Sequence, residues 1–267
     1  MERYLIALTI LAVCCLGTLA QTPTETPKPP QTEKAEAVIA KAVEAVGGER
    51  YLRVTSQVGR GQFSIIKDNS VASFQTFVDV IVFPDKERTE FKGNGSRTTQ
   101  VNSGSTGWVF DGDQEIIKIQ NENQIANFKQ SLRTNIDNLL RGHWKGQAVL
   151  SYIGRRPATL GKRNEAIKLT YSDGFTVEFE FSVDTGFPQK ALFKRISTDE
   201  EEVKEEDRYA QFVEFNGIKS PLVIDRFTNG KQSSRINYES IEFNRNFPDS
   251  IFTKPTNAKE AKKDLKL

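Results

Sequence analysis

Residues 175–183 read FTVEFEFSV and alternate apolar and polar side chains without a break. Successive side chains of a β-strand point to opposite faces of its sheet. One face of this strand therefore carries the apolar side chains Phe175, Val177, Phe179, Phe181 and Val183. Fully burying one such side chain stabilises a protein by roughly 1.5–3 kcal/mol. The stretch predicts a sheet with one apolar face, which another element must cover.

Similar short runs, rich in Val, Ile, Phe and Thr, fill most of the chain and are separated by turn signals such as Asp111-Gly112 and Asn229-Gly230. Asp-Gly or Asn-Gly between apolar runs is typical of a tight hairpin, because both central residues of a type I′ turn take positive φ. Connections this short join antiparallel neighbours, since a parallel crossover needs about a dozen residues or more. We predict a meandering antiparallel sheet of roughly eleven strands.

Two other stretches predict amphipathic helices. From Glu33 to Val46, apolar residues recur every three or four positions, and two glycines follow as a stop signal. A second stripe with this spacing contains Ile125, Phe128, Leu132, Ile136, Leu139 and Leu140. The predicted fold class is α+β, with a large curved antiparallel sheet, open as a half-barrel, covered by two or more amphipathic helices. A closed lipocalin-like barrel or a two-sheet sandwich is the alternative.

The first 20 residues are typical of a signal peptide. Their apolar run is short for a membrane span and ends in small residues at Ala20, so the mature chain is expected to begin near Gln21, in the periplasm or outside the cell. An uncleaved anchor is one alternative. Lipid attachment at Cys14 or Cys15 is another, disfavoured because Val13 stands where a small residue is needed. Cleavage would remove both cysteines, and with them any disulfide.

The rest of the chain divides into three predicted parts. Residues 21–32 are proline-rich and predict an extended tether. Residues 33–255 form one β-rich domain, and residues 256–267 form a charged, solvated tail. The net charge of +2, with the two signs interspersed, argues against nucleic acid as a partner.

Little in the sequence indicates catalysis. The chain has one histidine, His143, so a Ser-His-Asp triad would have to use it, and a zinc site usually needs several such ligands. The glycines of residues 93–100 lie between predicted strands rather than at a helix start, and the acidic run 198–208 lacks the spacing of a calcium loop. A hydrolase that uses two carboxylates is the weakest alternative. We predict a non-enzymatic protein without metal or cofactor.

The aromatic composition permits two interpretations. The chain has 18 Phe but only 6 Tyr, so most of its aromatic rings lack a hydroxyl group. For any single phenylalanine, a filled core is the simpler interpretation. Taken together, the rings also suit a concave apolar cavity between sheet and helices, which is the usual form of a small-molecule site.

Four short motifs carry a resemblance to a known family. They are FPDKERTEF with Pro84 and Arg88, VNSGSTGWVFDG with Trp108 and Phe110, VDTGFPQKALF, and FNGIKSPLVI. Their order resembles that in the LolA/LolB-like superfamily of periplasmic lipoprotein carriers and receptors. The branch of bacterial "outer membrane lipoprotein-sorting protein" homologues is the most similar.

The resemblance implies an open half-barrel with helices as a lid around an apolar cavity for acyl chains, and no catalytic residues. The candidate ligand-binding residues are Trp108, Phe110, Ile125, Phe128, Leu132, Ile136, Phe175, Val177, Phe179 and Phe181. One departure is Phe83, which stands where the carrier has an arginine that latches its lid.

The predicted function is therefore an exported, monomeric binding protein for acyl chains, lipids or lipoproteins in envelope lipoprotein handling. The alternative is an envelope-stress sensor or partner-binding module on the same fold, which would bind a membrane-associated protein.

Overall fold

A computed structural model describes residues 29–93, 95–197 and 201–263. The predicted signal peptide and most of the predicted tether lie outside these residues. No helix within the described ranges is both long enough and apolar enough to cross a membrane.

The described chain contains thirteen β-strands and five α-helices. The strands are β1 (Ser56–Lys67), β2 (Ser70–Val82), β3 (Lys86–Gly93), β4 (Ser96–Ser103), β5 (Thr106–Asp111), β6 (Ile116–Ile119), β7 (Ala148–Pro157), β8 (Arg163–Tyr171), β9 (Thr176–Ser182), β10 (Pro188–Ile196), β11 (Glu202–Phe215), β12 (Ile218–Thr228) and β13 (Lys231–Phe243). The helices are α1 (Pro29–Val46), α2 (Glu49–Leu52), α3 (Glu122–Thr134), α4 (Ile136–Leu140) and α5 (Ala258–Ala261). A single 3₁₀ turn spans Asp249–Ile251.

All thirteen strands form one antiparallel sheet in the order β6-β5-β4-β3-β2-β1-β13-β12-β11-β10-β9-β8-β7. The strands are joined mostly by hairpins, and β1 pairs with β13 in the middle. The two edge strands, β6 and β7, do not pair with each other, so the sheet is open. The predicted fold class is confirmed, with thirteen strands rather than roughly eleven. The alternatives of a closed barrel and a two-sheet sandwich are wrong for the described chain.

The alternation in residues 175–183 produces the expected two faces. Val177, Phe179 and Phe181 of β9 are buried, and they lie on the face against which α1 and α4 pack. We call this the inner face. The core on it is formed by strands β7–β12 together with helix residues Ala35, Ala42, Val46, Leu139 and Leu140.

The helices differ from the prediction at their ends. Helix α1 begins at Pro29, before the predicted start at Glu33, because proline is tolerated in a first helical turn. The second predicted helix is broken at Asn135, which adopts an extended conformation and caps α4 by accepting a hydrogen bond from the Asp137 amide at 2.7 Å. Helix α3 begins with a capping box at Asn121, because asparagine is favoured at the residue that precedes a helix.

A second hydrophobic core lies on the opposite, outer face of strands β1, β2, β4 and β5. Val58, Val80, Val101 and Trp108 occupy paired positions across β1, β2, β4 and β5, with Arg88 of β3 between them. The C-terminal segment covers this outer core with Phe247, Ile251, Phe252, Ala258 and Ala261. Ala261 is buried, so part of the predicted tail contributes to a core that its charged sequence did not indicate.

Strands β1 and β13 approach each other closely at a bulge beside Gly61. A Cβ atom on Gly61 would lie 1.9 Å from the backbone oxygen of Asn237. We expect Gly61→Ala to lower the free energy of unfolding by about 3 kcal/mol, the upper end of the cost of overpacking. Urea denaturation measures this. The control is Gln62→Ala, next in the strand and facing outward, and an equal cost for both variants would contradict the prediction.

Candidate functional site

A cavity of about 200 Å³ lies between α4 and the inner face of the sheet. We call it the inner cavity. Strands from both halves of the sheet line it, together with the ends of α1 and α3. Its apolar lining residues include Val46, Ile81, Ile136, Leu140, Phe212, Ile224, Ile241 and Phe243. Its polar lining residues include Gln57, Glu87, Asp137, Asp207, Tyr209, Lys219, Arg226 and Tyr238. The inner cavity is therefore amphipathic.

Carboxylates from three strands lie close together at the polar wall, with Glu87 and Asp207 lining the inner cavity and Asp79 next to Glu87 behind its lining. Burial raises the pKa of Asp79 well above its usual range, and the neighbouring Glu87 carboxylate raises it further. The hydroxyl of Thr89 donates to Asp79 Oδ1 at 2.7 Å. Burial also raises the pKa of Glu87 and of Asp207, while Arg226 opposes both shifts, with its Nε 3.7 Å from Asp207 Oδ1. Burial thus disfavours the charged form of all three carboxylates, which can accept hydrogen bonds.

Two tyrosines complete this wall. Burial raises the pKa of Tyr209 and of Tyr238, so both hydroxyls stay protonated at neutral pH and can donate hydrogen bonds. The Tyr238 ring packs edge-on against Phe77, with 5.4 Å between ring centroids. A Cβ atom on Gly59 would lie 2.5 Å from Tyr238 Cε1, so the absence of a side chain at this position makes room for the ring.

Arg141 anchors the covering helix α4 at the end of the inner cavity. Its Nη1 donates to the backbone oxygens of Tyr51 and Val54, both at 2.9 Å, and its Nε donates to Asp137 Oδ1 at 3.3 Å. The guanidinium lies over the rings of Tyr51 and Phe83, 4.3 and 4.1 Å from their centroids. Phe83 thus contacts Arg141, which caps the end of α4.

Helix α3 is held less firmly than α4. Only Phe128 and Thr134 of its thirteen residues are buried. Its end is joined to the β8–β9 turn by an ion pair between Arg133 and Asp173, 2.5 Å apart, in which both side chains are substantially exposed. Exposed ion pairs contribute only about 0–1 kcal/mol. Helix α3 is therefore the part of the cover that can shift at least cost.

A smaller cavity of about 50 Å³ lies beneath α3. Phe128 and Leu132 line it opposite Phe83, with His143 beside them. Burial lowers the pKa of His143, and the charge of Arg141 lowers it further, so the imidazole is neutral at pH 7. The described residues contain no cluster of three or more His, Cys, Asp or Glu side chains able to hold a metal ion.

The structure does not bring the ten predicted site residues together. Of the set, Ile136 alone lines the inner cavity. Val177, Phe179 and Phe181 are at most 1% exposed and lie in the inner-face core, whereas Phe175 is partly exposed beside Phe193. Helix α3 carries Ile125, Phe128 and Leu132, of which Phe128 and Leu132 line the smaller cavity. The outer core contains Trp108 and Phe110. Ligand binding by these residues stays a prediction.

Sequence reasoning missed the polar wall. One signal was available, because Asp79 stands within the apolar run FVDVIVF, where a charged residue is unusual. The strands that carry Tyr209, Arg226 and Tyr238 alternate apolar and polar side chains less regularly. These three side chains come together only through the pairing of their strands.

Solved structures share this architecture. A LolA superfamily protein from Nitrosomonas europaea matches with a TM-score of 0.54 and 16% identity, over 82% of this chain and 97% of that chain. The chain has a LolA-like fold. A DUF1329 family protein from Desulfovibrio piger matches this LolA-like fold with a TM-score of 0.59 and 13% identity, over 82% of this chain and 97% of that chain. At these identities the likeness concerns the fold alone.

Other comparisons add little. The MucA/MucB complex of Pseudomonas aeruginosa matches with a TM-score of 0.26 and 14% identity, over 83% of this chain and 61% of that chain, which is too weak a likeness to support an argument. No protein-family model and no curated protein matches the sequence.

Arg141 generates a stability prediction for this LolA-like fold. Its side chain is 5% exposed, and removing one partner of a buried ion pair costs about 3–5 kcal/mol. We expect Arg141→Ala to lower the free energy of unfolding by about 3 kcal/mol, measured by urea denaturation. The control is Arg53→Ala, whose ion pair with Glu49 is largely exposed and is expected to contribute about 0–1 kcal/mol. A similar small effect in both variants would contradict the anchoring role.

Asp79 generates a prediction about pH. Because its pKa is raised in the folded state, its contribution to stability is complete below the unfolded pKa of about 3.9 and is lost as pH rises through the folded pKa. Asparagine does not ionise and can still accept the hydrogen bond from Thr89. We expect Asp79→Asn to be more stable than the wild type at about pH 8, with the difference shrinking towards about pH 4.

Urea denaturation across this pH range tests the prediction for Asp79. The exposed Asp113 supplies the control, since Asp113→Asn is expected to leave the pH dependence of stability unchanged. If the wild type and Asp79→Asn differed by the same amount at every pH, the prediction would be wrong.

Proposed function

We propose that this protein is an exported, non-enzymatic binding protein that holds the apolar chain of an amphiphile in the inner cavity. The observation that carries the proposal is that apolar side chains face one another across this cavity, with Ile136 and Leu140 on the α4 side and Ile224, Ile241 and Phe243 on the sheet side. Concave, mostly apolar sites with a few convergent polar groups are typical of small-molecule binding.

The polar wall gives the proposed ligand an orientation. An apolar chain would lie against α4, and its polar end would meet the hydroxyls of Tyr209 and Tyr238 and the carboxylates of Glu87 and Asp207. Since burial already disfavours the charged form of both carboxylates, an anionic headgroup would add repulsion at this wall. An uncharged amphiphile is therefore the appropriate first probe.

Entry of the chain would require the cover to move. Arg141 holds α4 in place, whereas α3 depends on a few buried side chains and an exposed ion pair. A shift of α3 would join the small cavity beside Phe128 and Leu132 to the inner cavity, because Asn135 and Asp137 line both. In this way Phe128, Leu132 and Ile136 of the predicted binding set would contact the ligand.

The LolA-like fold supports a role in handling lipids or lipoproteins, with the cavity between sheet and helices as the binding site. Cleavage of the predicted signal peptide near Gln21 would place the protein in the periplasm or outside the cell. The proposal includes a monomeric state and no cofactor.

The test uses the mature protein and an uncharged fluorescent apolar dye, displaced by a long-chain alcohol. Ile224→Trp would fill part of the inner cavity, and we expect it to weaken dye binding at least tenfold. The matched control is Val149→Trp on edge strand β7, where the side chain is 48% exposed and lies away from the inner cavity. We expect this variant to bind the dye as the wild type does.

Two outcomes would contradict the proposal. The wild type could fail to bind the dye or the alcohol, which would favour the partner-binding alternative. Both tryptophan variants could instead bind equally well, which would place the dye elsewhere on the molecule.

A further inference from the structure

The C-terminal segment, residues 249–263, crosses the outer face and is held by its backbone. Arg88 Nη1 donates to the backbone oxygen of Ile251 at 2.7 Å, and Trp108 Nε1 donates to that of Phe252 at 3.0 Å. Arg97 Nη1 donates to the backbone oxygen of Lys262 at 2.7 Å. Side chains of the segment also hold it, because Asp249 pairs with Lys86 and Lys262 pairs with Glu115.

The segment encloses a cleft of about 530 Å³ on the outer face. We call it the outer cleft. It lies across the sheet from the inner cavity, since Trp108 and Arg88 share the outer face with Val58 and Val80. The residues that line it are Arg88, Trp108, Ser250, Thr253, Lys254, Pro255, Thr256, Glu260, Ala261 and Lys263.

The lining of the outer cleft is positively charged. Of the described residues that line it, Arg88, Lys254 and Lys263 carry positive charge and Glu260 carries negative charge. The Glu260 carboxylate already accepts hydrogen bonds from the amide and hydroxyl of Thr256, at 3.0 and 2.9 Å. These hydrogen bonds lower the pKa of Glu260, and the charge of Lys263 lowers it further, so Glu260 offsets part of the positive charge of the lining.

Arg88 has hydrogen-bonding capacity left over. Its side chain is 9% exposed; its Nε and Nη2 donate to Glu90 Oε1 at 3.1 and 2.6 Å, and its Nη1 donates to Ile251. These contacts account for three of the five N–H groups of a guanidinium. The other oxygen of Glu90 accepts from Arg97 Nη2 at 2.5 Å, so Arg88 shares this carboxylate with a second guanidinium.

We propose that the outer cleft binds a phosphate group. Arg88 would donate its remaining N–H groups from the floor of the cleft, Lys254 and Lys263 would balance the negative charge, and the hydroxyl of Ser250 would donate a further hydrogen bond. Charge-assisted hydrogen bonds from guanidinium and ammonium groups to phosphate oxygens are among the stronger polar contacts in proteins. The phosphate group would come from a soluble phosphate or from a lipid headgroup.

The test titrates inorganic phosphate into the mature protein and follows binding by calorimetry. The double variant Lys254→Ala/Lys263→Ala replaces two exposed side chains of the cleft and leaves Arg88 and its structural contacts intact. We expect at least tenfold weaker phosphate binding. The matched control is Lys231→Ala/Lys259→Ala, which removes the same charge from exposed positions outside the cleft and is expected to change affinity less than twofold.

Vesicles identify the source of the phosphate group. Cosedimentation compares phosphatidylcholine vesicles with vesicles that also contain phosphatidic acid. Binding to the second kind alone, lost in the cleft variant and competed by inorganic phosphate, would assign a lipid headgroup. Saturable binding of inorganic phosphate without vesicle binding would assign a soluble phosphate.

Two results would overturn the proposal. Absence of saturable phosphate binding to the wild type would do so, and so would an equal loss in the cleft and control variants, which indicates general charge attraction. The inner-cavity variant Ile224→Trp is expected to leave phosphate affinity unchanged, because it lies on the other face of the sheet.

Discussion

The antiparallel pairing of β1 with β13 is the contact on which the rest of the structure depends. It joins two sets of strands, β1–β6 and β7–β13, into one open sheet. Because β6 and β7 then lie at opposite edges, the chain between them has to cross from one edge to the other. Helices α3 and α4 make this crossing, so the cover of the inner cavity is a consequence of the strand order.

The two hydrophobic cores lie on opposite faces of the sheet, and this division separates the two proposed sites. Strands β7–β12 bury their inner face under α1 and α4, whereas β1–β5 bury their outer face under the C-terminal segment. The inner positions of β2 and β3 carry Asp79 and Glu87, of which Glu87 lines the inner cavity and Asp79 lies next to it. The outer positions of β3 and β5 carry Arg88 and Trp108 at the outer cleft.

Much of the fold follows from local sequence, but the candidate sites do not. Strict alternation in residues 175–183 predicts an apolar face, and β9 has one. The family resemblance placed Trp108 and Phe110 among the candidate residues of the acyl-chain cavity, whereas they lie in the outer core. Alternation tells which side chains share a face but not which element covers it. The convergence of Tyr209, Arg226 and Tyr238 with Asp79 depends on strand pairings across much of the chain, which no short motif encodes.

The central position of β1 and β13 also constrains the order in which the chain can fold. Hairpins such as β1–β2 and β12–β13 close locally, but the seam between the halves forms only when residues near both ends of the domain meet. Contacts so distant in sequence cost loop-closure entropy before they stabilise anything, so such topologies fold slowly. Until the seam closes, each half would expose β1 or β13 as an edge strand open to pairing with another chain.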